Sequence, residues 1–78
     1  MRKERGLYPI EMFAKYLNDT PKTVSEIRRE IIINEKLEEL FGVAISHDTV
    51  RRYLDKLVVR GVAKKRTLGR LTVYLKNG

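Results

Sequence analysis

Residues 45–61 read ISHDTVRRYLDKLVVRG and residues 62–75 read VAKKRTLGRLTVYL, and the change of hydrophobic period between them decides the fold. In the first stretch Val50, Tyr53, Leu54, Leu57 and Val58 fall on one arc of about 140° when wound at ~100° per residue, the buried stripe of a helix. Ser46 suits the N-cap, Asp48 sits in the first turn at the positive end of the dipole, and Gly61 closes the helix. In the second stretch Val62–Thr67 and Arg70–Leu75 alternate with period two around Leu68-Gly69, the pattern of a β-hairpin. The spacing therefore predicts a helix over 46–61 and a two-stranded hairpin over 62–75.

Charge singles out the same region. Residues 1–45 carry eight Lys/Arg and eight Asp/Glu, whereas residues 46–78 carry nine Lys/Arg against only Asp48 and Asp55, so the whole net charge of +7 lies there. Such a concentration suits a polyanion, and a basic chain fits nucleic acid, an anionic membrane surface or an acidic protein.

Outward from this core, residues 1–6 (MRKERG) have no apolar period and read as a flexible basic arm. A first helix is expected from Pro9, whose fixed φ suits the first helical position, with Ile10, Phe13, Ala14 and Leu17 as its stripe. Asn18-Asp19-Thr20-Pro21 stops it. Thr23-Val-Ser-Glu26 has the form of a capping box opening a second helix. Val24, Ile27 and Ile31 make one apolar face, and Ile33, Leu37 and Leu40 another turned well away from it. Either one helix runs from about 24 to 41 and ends at Gly42, or it breaks near Asn34; the long helix is the reading adopted. The broad apolar arc either wraps a small core or offers Ile33, Leu37 and Leu40 to a partner subunit.

A single domain spanning 1–78 is expected, mainly α with a small β-hairpin. A chain this short buries only about 60–65% of its unfolded surface, so oligomerisation would help it. There is no cysteine, which excludes disulfides and thiolate metal sites and suits a reducing compartment. No apolar run approaches the ~20 residues of a membrane span, and the N-terminus carries no hydrophobic signal segment, so a cytoplasmic protein with no membrane association is expected. Glutamine is absent while Lys, Arg, Glu, Ile and Val are abundant, a thermophile-like usage.

The order of elements and the run Ser46-x-x-Thr49-Val50-Arg51-Arg52-x-Leu54-x-x-Leu57, then Gly61 and a basic strand, resembles winged helix-turn-helix DNA-binding proteins. Many bacterial and archaeal transcription regulators have a similar run, preceded by a helix like Thr23–Ile27. The resemblance covers residues 9–75 and implies three helices followed by a two-stranded wing. It departs from the compact form by a longer interval between Thr23 and Ser46, with Arg29–Leu40 (REIIINEKLEEL) as the insertion. Small stand-alone regulators of this kind are found in archaea and their viruses.

A major groove ~12 Å wide admits one helix, and Arg pairs best with guanine, discriminating by about 1–3 kcal/mol. On the outer arc of the third helix lie Asp48, Arg51, Arg52, Asp55, Lys56 and Val59. Arg51 and Arg52 are expected near bases or phosphates, Ser46, His47 and Thr49 at the groove edge, and Lys56 on phosphate. Asp48 lies among them, and Asp55 is placed to pair with Arg51 or Arg52. On the wing Lys64, Lys65, Arg66, Gly69 and Arg70 are expected at DNA, with Lys65 on the face opposite Lys64 and Arg66. The competing readings are a solvated helix face and lysines that protect an edge strand.

Catalysis, metals and cofactors are not expected. His47 is the only histidine, no Gly-rich phosphate loop exists, and Glu35, Glu38 and Glu39 are interrupted by Lys36. The expectation is a double-stranded DNA-binding transcription regulator acting as a homodimer. The alternatives are a winged-helix protein-interaction or RNA-binding module and an architectural or replication DNA binder with little base specificity.

Overall fold

The computed structural model describes residues 8–36 and 45–77. The arm expected over 1–6, and Leu37, Leu40 and Gly42, lie outside the described residues. Those residues form a small α+β domain: α1 (Ile10–Ala14), β1 (Lys22–Thr23), α2 (Val24–Glu35), α3 (His47–Val59), β2 (Ala63–Leu68) and β3 (Leu71–Lys76). The strands make one antiparallel sheet in the order β1-β3-β2. "Mainly α with a hairpin" is thus too narrow, because β3 is a central strand. Lys22 pairs with Tyr74 and Thr23 with Val73. Two residues are too few to show a period, so β1 leaves no signal in the sequence.

Helix α1 begins after Pro9, which is the N-cap rather than the first helical residue. It is shorter than the apolar stripe predicts. Its end tightens into i→i+3 bonds, with Tyr16 N–H donating to the Phe13 carbonyl and Leu17 N–H to the Ala14 carbonyl, both at 3.1 Å. Met12, Phe13 and Leu17 are nonetheless buried.

Helix α2 opens with both halves of the capping box. Thr23 Oγ1 accepts from the Glu26 amide at 3.2 Å, and the Glu26 carboxylate accepts from the Thr23 amide at 2.8 Å. Val24, Ile27 and Ile31 are buried. The helix ends at Glu35, with Lys36 left-handed at φ 54°, ψ 39°. It does not continue to Gly42. Its first face meets the core while Ile33 stays 63% exposed. One straight helix cannot press two faces so far apart against a thin core. The break after Glu35 resolves the conflict.

Helix α3 starts at Ser46, whose Oγ accepts from the Thr49 amide at 3.1 Å. It ends in a Schellman motif. Val62 N–H donates to the Leu57 carbonyl (2.9 Å), Gly61 N–H donates to the Val58 carbonyl (3.0 Å), and Gly61 is left-handed at φ 81°. Val50, Leu54 and Leu57 face inward and join Phe13, Ile27, Ile31, Ile45, Ala63 and Tyr74 in one core. Burying each large apolar side chain there contributes about 1.5–3 kcal/mol. Phe13 stacks on Tyr53 with centroids 4.4 Å apart and planes 7° apart, tying α1 to α3. Arg28 Nε donates to the Ile45 carbonyl at 2.8 Å and so ties α2 to the residue that leads into α3.

The hairpin turn is Gly69-Arg70, one residue later than the period suggests, with Leu68 opposite Leu71. Gly69 has φ 65° and Arg70 does not have positive φ, the pattern of a II′ turn with glycine first. Hence the strands are 63–68 and 71–76, not 62–67 and 70–75.

Candidate nucleic-acid interface

Helix α3 presents its outer arc because its inner arc is consumed by the core. His47, Asp48, Arg51, Arg52 and Lys56 are exposed, Asp55 is half-buried, and Val59 is 87% exposed. The basic side chains are therefore accessible, but several are held in place.

Asp48 is the organiser of the arc. Its Oδ1 accepts from Arg51 Nη2 at 2.8 Å and its Oδ2 lies 3.4 Å from Arg52 Nε. The hydrogen bond from Arg51, with the Arg52 charge beside it, holds the Asp48 carboxyl below its ordinary pKa. The expected pairing of Asp55 with Arg51 or Arg52 does not form. Asp55 instead accepts from the Tyr74 hydroxyl at 2.6 Å and from Lys65 Nζ at 3.3 Å. The competing donors come from another element: β3 brings a buried phenol to within reach, and a buried donor requires an acceptor. Burial first, then this bond, pushes the Tyr74 phenol far above its ordinary pKa. The bond also ties β3 to α3.

Ser46 and Thr49 are occupied locally. The Ser46 hydroxyl donates to Thr49 Oγ1 at 2.8 Å while capping the helix, so their first role is to start α3. Lys56 lies over the Tyr53 ring, Nζ 5.2 Å from the centroid, which keeps its ammonium on the outer surface.

Along the hairpin, side chains opposite each other share a face. Ala63, Lys65 and Thr67 turn towards α3 with Tyr74 and Thr72, while Lys64, Arg66 and Leu68 lie on the other face with Leu75, Val73 and Leu71. Lys65 thus points inward, over Tyr74 and onto Asp55. Among the described residues no carboxylate lies within ion-pair reach of Lys64, Arg66 or Arg70.

The two basic elements meet in a cleft of about 320 Å³. Thr23, Val24 and Ser25 at the start of α2 form one wall, His47 and Arg51 of α3 another, and Lys65, Arg70, Leu71, Thr72 and Tyr74 of the hairpin the third. The cleft brings His47 and Arg51 together with Lys65 and Arg70. It leaves Arg52 and Lys56 on the open arc of α3, and Lys64 and Arg66 on the far face of the hairpin. Thr23 and Ser25 escape notice in the sequence, where they read only as helix starters. Between the apolar side chains of Val24 and Leu71 the walls carry hydroxyl and cationic donors, chemistry that suits phosphate oxygens.

Comparison with protein-family models, with curated proteins and with solved structures returned no match. Among the described residues no helix is long and apolar enough to cross a membrane.

Proposed function

We propose that this chain is a winged helix-turn-helix protein that binds double-stranded DNA as a transcription regulator. The observation that carries the reading is the cleft, in which His47 and Arg51 of α3 and Lys65 and Arg70 of the hairpin line one volume of about 320 Å³. The basic part of the chain, residues 46–78, thus contributes cations to one volume from both α3 and the hairpin. In this reading α3 lies in the major groove with Arg51 and Arg52 towards base edges. Lys56 takes flanking phosphate, and the hairpin is the wing on adjacent backbone or minor groove. The excess charge supplies the salt-dependent part of affinity by counterion release. A cytoplasmic location follows from such a role.

A homodimer is proposed with it, because the core is thin and Ile33 is exposed on α2. Two-fold symmetry would place half-sites about one helical turn apart. Sedimentation that shows only monomer with and without DNA would remove the dimer.

The reading is tested by titrating random duplex, single strand and RNA across a salt series, followed by selection from a random duplex library. Duplex binding with a steep salt slope and a selected consensus is expected. A steep slope without a consensus would leave an architectural binder. That second reading draws support from Asp48, which already occupies both arginines. Arg52→Ala should relax base preference, whereas Arg70→Ala should weaken all duplexes alike and reduce the salt slope by about one. Equal, sequence-blind losses from both would refute base reading by α3.

A further inference from the structure

The tip of the hairpin carries two large apolar side chains that are half exposed. Leu68 is 58% exposed and Leu71 is 50% exposed, and neither belongs to the core cluster. They are directly paired across the Gly69-Arg70 turn, so both leave the same face as one unit. Arg66 follows on that face two pairs further back, and Arg70 lies between the leucines in the turn itself. Residues 62–76 contain no Asp or Glu at all.

We propose that Leu68 and Leu71 form an apolar wedge that the hairpin drives between base pairs from the minor groove, kinking the duplex. The inference rests on the DNA-binding reading and adds a deformation of the DNA to it. The arrangement favours this occupant over others by charge. A second copy of the hairpin seated on the first would bring Arg66, Arg70 and their counterparts together with no carboxylate on either hairpin to offset them. DNA supplies phosphates for the arginines and stacked bases for the leucines in one partner.

Geometry points the same way. Strands of this length span roughly 20 Å at ~3.3 Å per residue, long enough for a tip that borders the α3 cleft through Arg70 and Leu71 to reach the groove beside the one α3 would occupy. A B-form minor groove is ~6 Å wide, too narrow for two paired strands with side chains. Entry requires the groove to open. Unstacking one base step against an apolar side chain opens it, and the arginines on either side then meet the backbone. Pyrimidine–purine steps, which unstack most readily, are the preferred point of entry.

The test uses the full chain and short duplexes labelled at both ends for energy transfer, with a fluorescent purine analogue beside a central TA step. Anisotropy on the same duplexes reports binding independently of shape. The native chain should bind, shorten the end-to-end distance and brighten the analogue. The Leu68→Ala/Leu71→Ala double variant should bind about tenfold more weakly and, at saturation, leave the duplex straight and the analogue quenched. Leu68→Met/Leu71→Met should retain the kink, because apolar volume is kept. Circular dichroism checks that the alanine variant is folded, as expected for side chains outside the core.

A native complex that saturates with a straight duplex would overturn the wedge while leaving DNA binding in place. So would an alanine variant that still kinks. Absence of any anisotropy change with duplex would instead overturn the DNA reading itself. If the alanine variant lost sedimenting mass but kept the kink, the leucines would be a self-association surface and the proposal would be wrong.

Discussion

Removing the Tyr74 hydroxyl and the Asp55 carboxylate, singly and together, asks whether the bond between β3 and α3 fixes the hairpin. Tyr74 is fully buried and its hydroxyl donates to Asp55 Oδ1 at 2.6 Å. A hydrogen bond to a charged group contributes about 1.5–3 kcal/mol. In Tyr74→Phe the carboxylate keeps Lys65 at 3.3 Å, and its side chain is 44% exposed, so water replaces the lost donor. The loss should therefore lie near the lower end, about 1.5 kcal/mol. Asp55→Ala is different, because a buried phenol is left with no acceptor, at about 1–3 kcal/mol on top of the lost bond. The better helix propensity of alanine returns about 0.5 kcal/mol. With the bond at its lower end, a net loss of about 2–4 kcal/mol follows, a fall in melting temperature on the order of 10 °C or more for a domain of this size. The double variant should be no less stable than Asp55→Ala alone, since the orphaned hydroxyl is gone. Urea denaturation followed by circular dichroism measures all four proteins, with an unchanged slope marking a change of stability alone. Losses that simply add would show that the bond contributes nothing, and the reasoning on hairpin placement would fail with it.

Gly61→Ala should destabilise by about 1 kcal/mol, because the left-handed backbone penalises an L side chain while the lower entropy of the unfolded chain recovers part of it. A Cβ there meets nothing within 4 Å, so the cost is conformational rather than steric. Gly61→Asn should lose less, since Asn tolerates that region; equal melting losses for Ala and Asn would argue against a backbone origin. On the other side of the fold, Tyr16 donates to Glu35 at 2.5 Å. Burial and that bond push the Tyr16 phenol up to about 12, while the bond, together with Lys15, holds the Glu35 carboxyl below its ordinary value. A raised phenol stabilises the fold below its ordinary value of 10.0 and loses that contribution as pH climbs towards 12. A depressed carboxyl stabilises the fold above its ordinary value of 4.5 and loses that contribution as pH falls below it. The stability difference between the native chain and Tyr16→Phe should be level from about pH 5 to 10 and shrink at both ends; denaturant titrations showing a difference that grows above pH 10 would contradict the assignment.

Local signals were legible wherever a few consecutive residues satisfy one another. The Thr23–Glu26 box, the Ser46 cap, the helix end at Gly61 and the inward stripe Val50–Leu54–Leu57 all involve partners within one or two turns. The hairpin was legible as alternation, but its turn was displaced by one residue, because Leu68-Gly69 and Gly69-Arg70 bracket the same glycine and period alone does not choose. Positive φ at the first turn position chooses Gly69-Arg70.

Residue order and composition are therefore enough for the identity of α3, the existence of the hairpin and the confinement of net charge to residues 46–78. Each depends on periodicity or on composition, which survive without knowledge of what lies opposite. Only the tertiary structure decided where α2 stops, that Lys22 and Thr23 make β3 a central strand, and which aspartate takes which cation. Asp48 and Asp55 are both placed on α3 to pair with arginine, at equal helical distances in several combinations. The choice falls to Asp48 because a buried phenol, nineteen residues away in the chain, claims Asp55. A buried donor must find an acceptor, and that requirement is set by burial, which no stretch of sequence contains.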